Sequence, residues 1–256
     1  DPTFFGMFIA AEERGMKIVS PHHEQAATMM ADGYYRMTGK PGVICVNKGP
    51  GVANIAGGPI YLAKENIPAV FIMAQRHRLY EHRVRRGMTQ HMRQGPMYEG
   101  IMKYIGIVEF PEMVDEIFHE AFRIAQSGVP GPTFVEIPLG CLQATLDLPP
   151  APPPHRYRLV HQRAGDDVIA EAVKTLKNAK EPILLVGQGA TASRAHNSVA
   201  ALAKKLACPI INTISIDTVF EGMGDRTFRY GSTVAQEIVG RADAVVAIGT
   251  EIGEAI

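Results

Sequence analysis

His22-His23-Glu24-Gln25-Ala26-Ala27-Thr28-Met29-Met30-Ala31-Asp32-Gly33-Tyr34 follows a short apolar run, Lys17-Ile18-Val19, that ends at Ser20-Pro21. The run predicts a strand. The small residues on one face after it predict a helix over 23–38, closed by Gly39 and Pro41. Glu24 then stands where a strand hands over to a helix, and in an open α/β sheet ligands bind outside the carboxyl ends of the strands. A second handover follows: the strand Val43-Ile44-Cys45-Val46, then Asn47-Lys48-Gly49-Pro50-Gly51-Val52-Ala53-Asn54, a glycine turn opening a helix.

Outward from these stretches the chain alternates. A helix with one buried face is expected over 3–14, and helical pattern over 52–65. Ala69-Val70-Phe71-Ile72-Met73-Ala74 reads as a buried strand, and a polar segment rich in Arg and His fills 75–95. Helical pattern returns at 97–103, a strand at 105–108, an amphipathic helix at 112–127 and a strand at 133–137. Near-continuous apolar strands between helices mean a parallel sheet covered on both faces. Five prolines within 149–154 mark a semi-rigid linker. Helices at 166–178 and 195–207 and strands at 182–186, 209–212 and 244–248 make a second α/β unit. The expected division is a first domain over 1–145, a linker over 146–165 and a second, Rossmann-like domain over 166–256, incomplete because its alternation breaks off. The fold class is α/β, with two doubly wound parallel-sheet domains.

Apolar residues are 46% of the 256 and charged residues 20%, with a formal net charge of zero. That composition builds a core and gives no general attraction to nucleic acid or membrane. Cys45, Cys141 and Cys208 are far apart in apolar surroundings, as reduced thiols of a cytoplasmic protein are.

Together, His-Glu-Gln with Ala-Asp-Gly-Tyr, Thr38-Gly39-Lys40-Pro41-Gly42-Val43, Gly49-Pro50-Gly51 with Asn54, and Ser127-Gly128-Val129-Pro130-Gly131-Pro132 running into Val135-Glu136-Ile137-Pro138 resemble the thiamine diphosphate-dependent enzymes of the acetolactate synthase-like group. The resemblance covers nearly the whole chain. It implies that residues 1–145 are a pyrimidine-binding domain and 166–256 part of a middle domain.

On spacing alone, a glutamate in the first turn of a helix is an ordinary partner of the helix dipole. The resemblance implies more: Glu24 meets N1′ of the aminopyrimidine, and so promotes loss of the C2 proton whose carbanion makes or breaks C–C bonds. Gly49, Pro50, Gly51 and Asn54 would form the cofactor wall, although Asn47-Lys48 replaces the small hydroxyl residues usual there. Gln90 has the spacing of the family's active-site glutamine from Lys103, and Gln94 is the other candidate. His23, Lys103 and Arg86 are substrate-channel candidates. Arg76, Arg78, Arg83, Arg85, Arg86 and Arg93, with His77, His82 and His91, are either a solvated loop or a cationic surface for an anionic substrate. Gly187-Gln188-Gly189 is a weak nucleotide signal; FAD is possible there.

No Gly-Asp-Gly motif for a Mg²⁺-bound diphosphate occurs, so the diphosphate-binding domain is expected to be absent and the chain alone inactive. The implied activity is that of a 2-keto-acid decarboxylase or carboligase working as a homodimer or homotetramer. The alternatives are a lyase or decarboxylase of another anionic carbonyl or acyl-CoA, and a non-catalytic assembly module that kept the fold.

Overall fold

The computed structural model describes residues 2–78, 90–157 and 163–252. The chain divides into two compact units, Asp1–His161 and Gln162–Ile256.

The first unit runs α1 (Phe5–Glu13), α2 (Glu24–Thr38), β1 (Gly42–Val46), α3 (Pro50–Asn54), α4 (Gly57–Lys64), β2 (Ala69–Gln75), β3 (Tyr104–Ile107), α5 (Val114–Gln126), β4 (Pro132–Pro138) and α6 (Leu139–Leu142). All strand pairings are parallel, in the order β1-β2-β4-β3. The two central strands, β2 and β4, are buried along their whole length. The two-residue period of a strand then sorts their side chains onto opposite faces. Ala69, Phe71 and Met73 join Ala31, Tyr35, Val52, Leu62 and Phe134 under α2 and α4. Val70, Ile72 and Ala74 join Ile117, Ala121 and Val135 under α5. A sheet covered on both faces is what the unbroken apolar strands predict.

Three expectations are corrected. Lys17–Val19 is not a strand; its residues are exposed and outside the ladder. An apolar run becomes a strand only where a neighbour takes its backbone groups, and among the described residues none does. The helix over 52–65 is two helices. Pro59 has no N–H for the Ile55 carbonyl, and the Gly58 N–H takes that carbonyl at 2.8 Å instead. The break also brings α4 onto α2: a methyl group on Gly58 would lie 2.2 Å from Thr28 Oγ1. The helical pattern at 97–103 amounts to one short 3₁₀ turn, Gly95–Tyr98.

The second unit runs α7 (Asp166–Asn178), β5 (Pro182–Val186), α8 (Gln188–Ala192), α9 (His196–Leu206), β6 (Ile210–Asn212), β7 (Thr227–Arg229), α10 (Thr233–Arg241) and β8 (Ala244–Ile248). Its parallel sheet has the order β7-β6-β5-β8. Leu184 and Val186 pack with Val199 and Ala203 of α9; Ile183 and Leu185 pack with Ala235 of α10. The sequence pattern missed β7 and α10. β7 is only three residues long, too short for a period to show.

Burial of Cys45 on β1 pushes its thiol from 9.0 up to about 12. A shift of about three units cuts the thiolate fraction near pH 8 by about a thousandfold. A thiolate of higher pKa is also more nucleophilic, so iodoacetamide should label Cys45 about thirtyfold more slowly than a free thiol in the same tube, as followed by mass spectrometry. Labelling at the free-thiol rate would mean that β1 opens in solution.

Candidate functional site

Helix α2 begins where it does because His23 caps it. His23 is extended (φ −144°, ψ 141°), and its Nδ1 accepts the Gln25 N–H at 3.2 Å. A side-chain acceptor at that place satisfies one of the donors a helix start leaves open. Glu24 thereby becomes the first helical residue. Gly39 closes the far end at φ 71°. The helix lies so close to β1 that a methyl group on Gly42 would come within 2.5 Å of Ala31 Cβ. Arg36 pins it to the end of α4: its Nη2 donates to Glu65 at 3.3 Å, while its Nε donates to Asp32 of α2 itself at 2.7 Å.

The Glu24 carboxylate is half-buried and faces the second handover. Asn54, at the end of α3, donates to Glu24 Oε2 at 3.3 Å. Glu24 Oε1 takes no hydrogen bond among the described residues. It lies 3.3 Å from where a methyl group on Gly51 would stand. A side chain at 51 would cover that oxygen; glycine leaves its approach open. Pro50 starts α3, where its missing N–H costs nothing. Tyr98, wholly buried, holds the helix from below by donating its hydroxyl to the Val52 carbonyl. Burial pushes that hydroxyl up to about 12, so it stays a donor.

Gly49 has φ 70° and ψ −111°, a conformation that disfavours a side chain. It also has no room for one: a methyl group there would lie 2.6 Å from Gln90 Cα and 2.8 Å from its carbonyl oxygen. Gln90 itself sits at φ 74°, unusual for a residue with a side chain. Its Oε1 accepts from Arg76 Nη2 at 3.0 Å. The turn 49–51 thus brings together Glu24, Asn54 and Gln90, placing Gln90 against one glycine and Glu24 against the other.

Gln94, the other glutamine, is wholly buried and bonded on every side. Its Oε1 accepts the Gly49 N–H at 3.0 Å, and its Nε2 donates to the Ala74 carbonyl at 3.0 Å and to Glu136 Oε2 at 3.1 Å. It has nothing left for a ligand. Lys48 is buried too, donating to Thr3 Oγ1 at 2.8 Å and Asn47 Oδ1 at 3.1 Å. Burial first, and then the nearby Arg76, lower its pKa.

The channel candidates fare differently. The His23 ring serves as the helix cap. The Lys103 ammonium donates to the carbonyls of Ile124, Ser127 and Val129 at 2.7, 2.6 and 2.6 Å, closing the end of α5. All three of its donors are spent there. Lys103→Met should lower stability by about 1–3 kcal/mol, a fall of roughly 3–10 °C in the unfolding midpoint, and leave ligand binding at Glu24 unchanged. Differential scanning calorimetry checks the first part; a shift under a degree would show those bonds are not made in solution. Arg86, with His82, Arg83 and Arg85, lies outside the described residues. A cavity of about 80 Å³ is lined by Arg76, His77, Arg78, His91, Arg93 and Glu136, among others, so part of the cationic cluster does converge.

In the second unit the glycines serve the fold. The Gly187 N–H donates to the Ile248 carbonyl at 3.0 Å, and the Gly189 N–H to the Gly249 carbonyl at 2.8 Å. A methyl group on Gly187 would lie 2.5 Å from that Gly249 oxygen. These two donors are turned inward, onto the end of β8. Among the described residues no group of three or more His, Cys, Asp or Glu is placed to hold a metal, and no helix is long and apolar enough to cross a membrane.

Gln75, Gln94 and Glu136 escaped the sequence reading as a buried network, although a signal existed. Glu136 is the one charge inside a buried strand, and a buried carboxylate needs donors.

Residues 3–97 match the family model described as thiamine pyrophosphate enzyme, N-terminal TPP binding domain, and residues 169–255 match its central domain. The chain is 31% identical over 248 residues to an acetolactate synthase of Bacillus subtilis, covering 95% of this chain and 43% of that one. It is 30% identical over 254 residues to a probable 2-ketoarginine decarboxylase of Pseudomonas aeruginosa, covering 94% and 43%. It is 29% identical over 244 residues to a sulfoacetaldehyde acetyltransferase of Alcaligenes xylosoxydans, covering 93% and 39%. The chain thus spans less than half the length of these relatives.

Proposed function

This chain belongs to the thiamine pyrophosphate enzymes, as their N-terminal and central domains, and on that premise we propose that Glu24 and the turn Gly49-Pro50-Gly51 hold the aminopyrimidine of thiamine diphosphate. The observation that carries the reading is Glu24 Oε1, which takes no hydrogen bond among the described residues and faces a glycine whose missing side chain leaves it open. When bound, the cofactor supplies the nucleophilic carbon and the electron sink. This chain's part is to hold a proton at the Glu24 carboxyl, with Asn54 orienting its other oxygen, and to present Gln90 from across the turn.

The whole protein is proposed to make or break C–C bonds of a small anionic carbonyl substrate such as a 2-keto acid, as an acetolactate synthase-like carboligase or decarboxylase. The support for an anionic substrate is the cavity lined by Arg76, Arg78, Arg93 and two histidines. A lyase of another anionic carbonyl or acyl-CoA fits the same lining. Mg²⁺ and the diphosphate are assigned to protein outside these residues. The proposed state is a cytoplasmic homodimer or homotetramer. Its support is the outer face of α2, where Met29, Met30, Tyr34 and Met37 are 42%, 45%, 48% and 84% exposed. Apolar patches of that kind mark contact surfaces.

The test is a calorimetric titration of the whole protein with thiamine diphosphate and Mg²⁺, and separately with thiamine. Saturable binding that Glu24→Gln weakens about tenfold or more supports the reading, since a charged hydrogen bond contributes on that scale. Binding unchanged by the substitution would overturn it and favour an assembly module.

A further inference from the structure

A glutamine with no exposed surface is an expensive choice for filling space. Leucine has a similar volume and needs no partners, whereas a buried amide costs stability unless each group is bonded. Gln94 meets that demand in full, and its three partners come from three places. Gly49 belongs to the glycine turn, Ala74 to the end of β2 and Glu136 to β4. Gln75 reinforces the link by donating to the Met92 carbonyl at 2.7 Å and reaching the same Glu136 oxygen at 3.5 Å. The segment 90–94 is thus clamped at both ends: Arg76 holds Gln90, while Gln94 is fixed to the sheet. The sheet ends are buried; the turn and Gln90 are the parts that need placing.

We propose that Gln94 is a positioning residue, which fixes the height of Gly49 above the sheet and through it the pose of Gln90 against the turn. The proposal rests on the reading of Glu24 and the turn as the cofactor wall. Gln94 touches no ligand. It works through the Gly49 N–H, and the left-handed Gln90 is held because Gly49 cannot retreat from it.

Amide hydrogen exchange on this chain, followed by NMR, tests it, with the Val70 and Val135 amides as references for global opening. Gln94→Glu keeps an acceptor for Gly49 but sets a second carboxyl against Glu136. Exchange at Gly49 is expected to quicken by about tenfold or more relative to both references. Adding Glu136→Gln again pairs one carboxyl with one amide, and Gly49 exchange is expected to recover in part, by about threefold or more, since the Ala74 carbonyl still lacks the donor it had from Gln94. A residue that only fills space would not be rescued by that exchange of partners. The proposal is overturned if Gly49 exchange in Gln94→Glu stays within about threefold of the parent, if Val70 and Val135 quicken as much as Gly49, or if the double variant shows no recovery. Thiamine diphosphate titrations of the same variants separate this from the cofactor reading. Loss of binding in Gln94→Glu with recovery in the double variant supports the link. If the whole protein, with the part that holds Mg²⁺ and the diphosphate, does not bind the cofactor, the reading of Glu24 fails, while the exchange result still decides whether Gln94 places the turn.

Discussion

Glu24→Gln is expected to slow exchange of the C2 proton of bound thiamine diphosphate, read by proton NMR in deuterated buffer, by about 10²–10⁴-fold, the usual worth of a positioned acid or base. The substitution is nearly isosteric. The amide keeps an oxygen for Asn54 Nδ2, now at 3.3 Å from Oε2, and leaves the Gly51 side open. What it removes is the ability to hold and return a proton. Because Glu24 is half-buried and His23 rather than Glu24 caps the helix, the unfolding midpoint should move by no more than about 2 °C. Exchange within tenfold of the parent would sink the assignment of Glu24, whatever the binding data say.

Gly49→Ala should be the most damaging single methyl group in the first unit. Two costs add. The backbone at φ 70° and ψ −111° is one that L side chains avoid, at about 1–3 kcal/mol. The methyl would also lie 2.6 Å from Gln90 Cα, 2.8 Å from its oxygen and 2.9 Å from its Cβ, so backbone and not a flexible tip has to yield. Overpacking of that kind costs about 1–3 kcal/mol. Together they predict a drop of roughly 5–20 °C in the unfolding midpoint. The relief route is for Gln90 to move away, which would also break its bond from Arg76. Thermal unfolding with thiamine diphosphate titration checks both consequences. Intact stability and binding would mean that the two left-handed residues do not pack against each other in solution.

Much of the architecture was legible because strand and helix periods differ and are written along the chain. β2 and β4 are buried at every position and read as apolar at nearly every one; Gly39, in the left-handed conformation, ends α2 as a glycine there should. Lys17–Val19 shows the limit. Its composition suits a strand, but a strand exists only by pairing, and pairing is not local. The break at Gly57-Gly58-Pro59 was visible residue by residue, yet its reason, a methyl-free approach to Thr28, lies across the fold.

For the site, sequence determined the cofactor class: the order and spacing of Glu24, the glycine turn and Asn54 pointed to it, and the N-terminal and central domain matches agree. The resemblance put Lys103 near the chemistry and left Gln94 as the alternative to Gln90, because spacing places a residue along the chain without saying where its donors go. Only the tertiary structure decided that Lys103 spends its ammonium on the carbonyls of Ile124, Ser127 and Val129 at the end of α5 and just beyond it, that Gln94 is locked between Gly49 and Glu136, and that Gly187 and Gly189 of the second unit turn their N–H groups inward. The physical reason is the same in each case. Local sequence fixes dihedral preference and period, but a polar group's partner is chosen by what the packed fold leaves within about 3 Å of it.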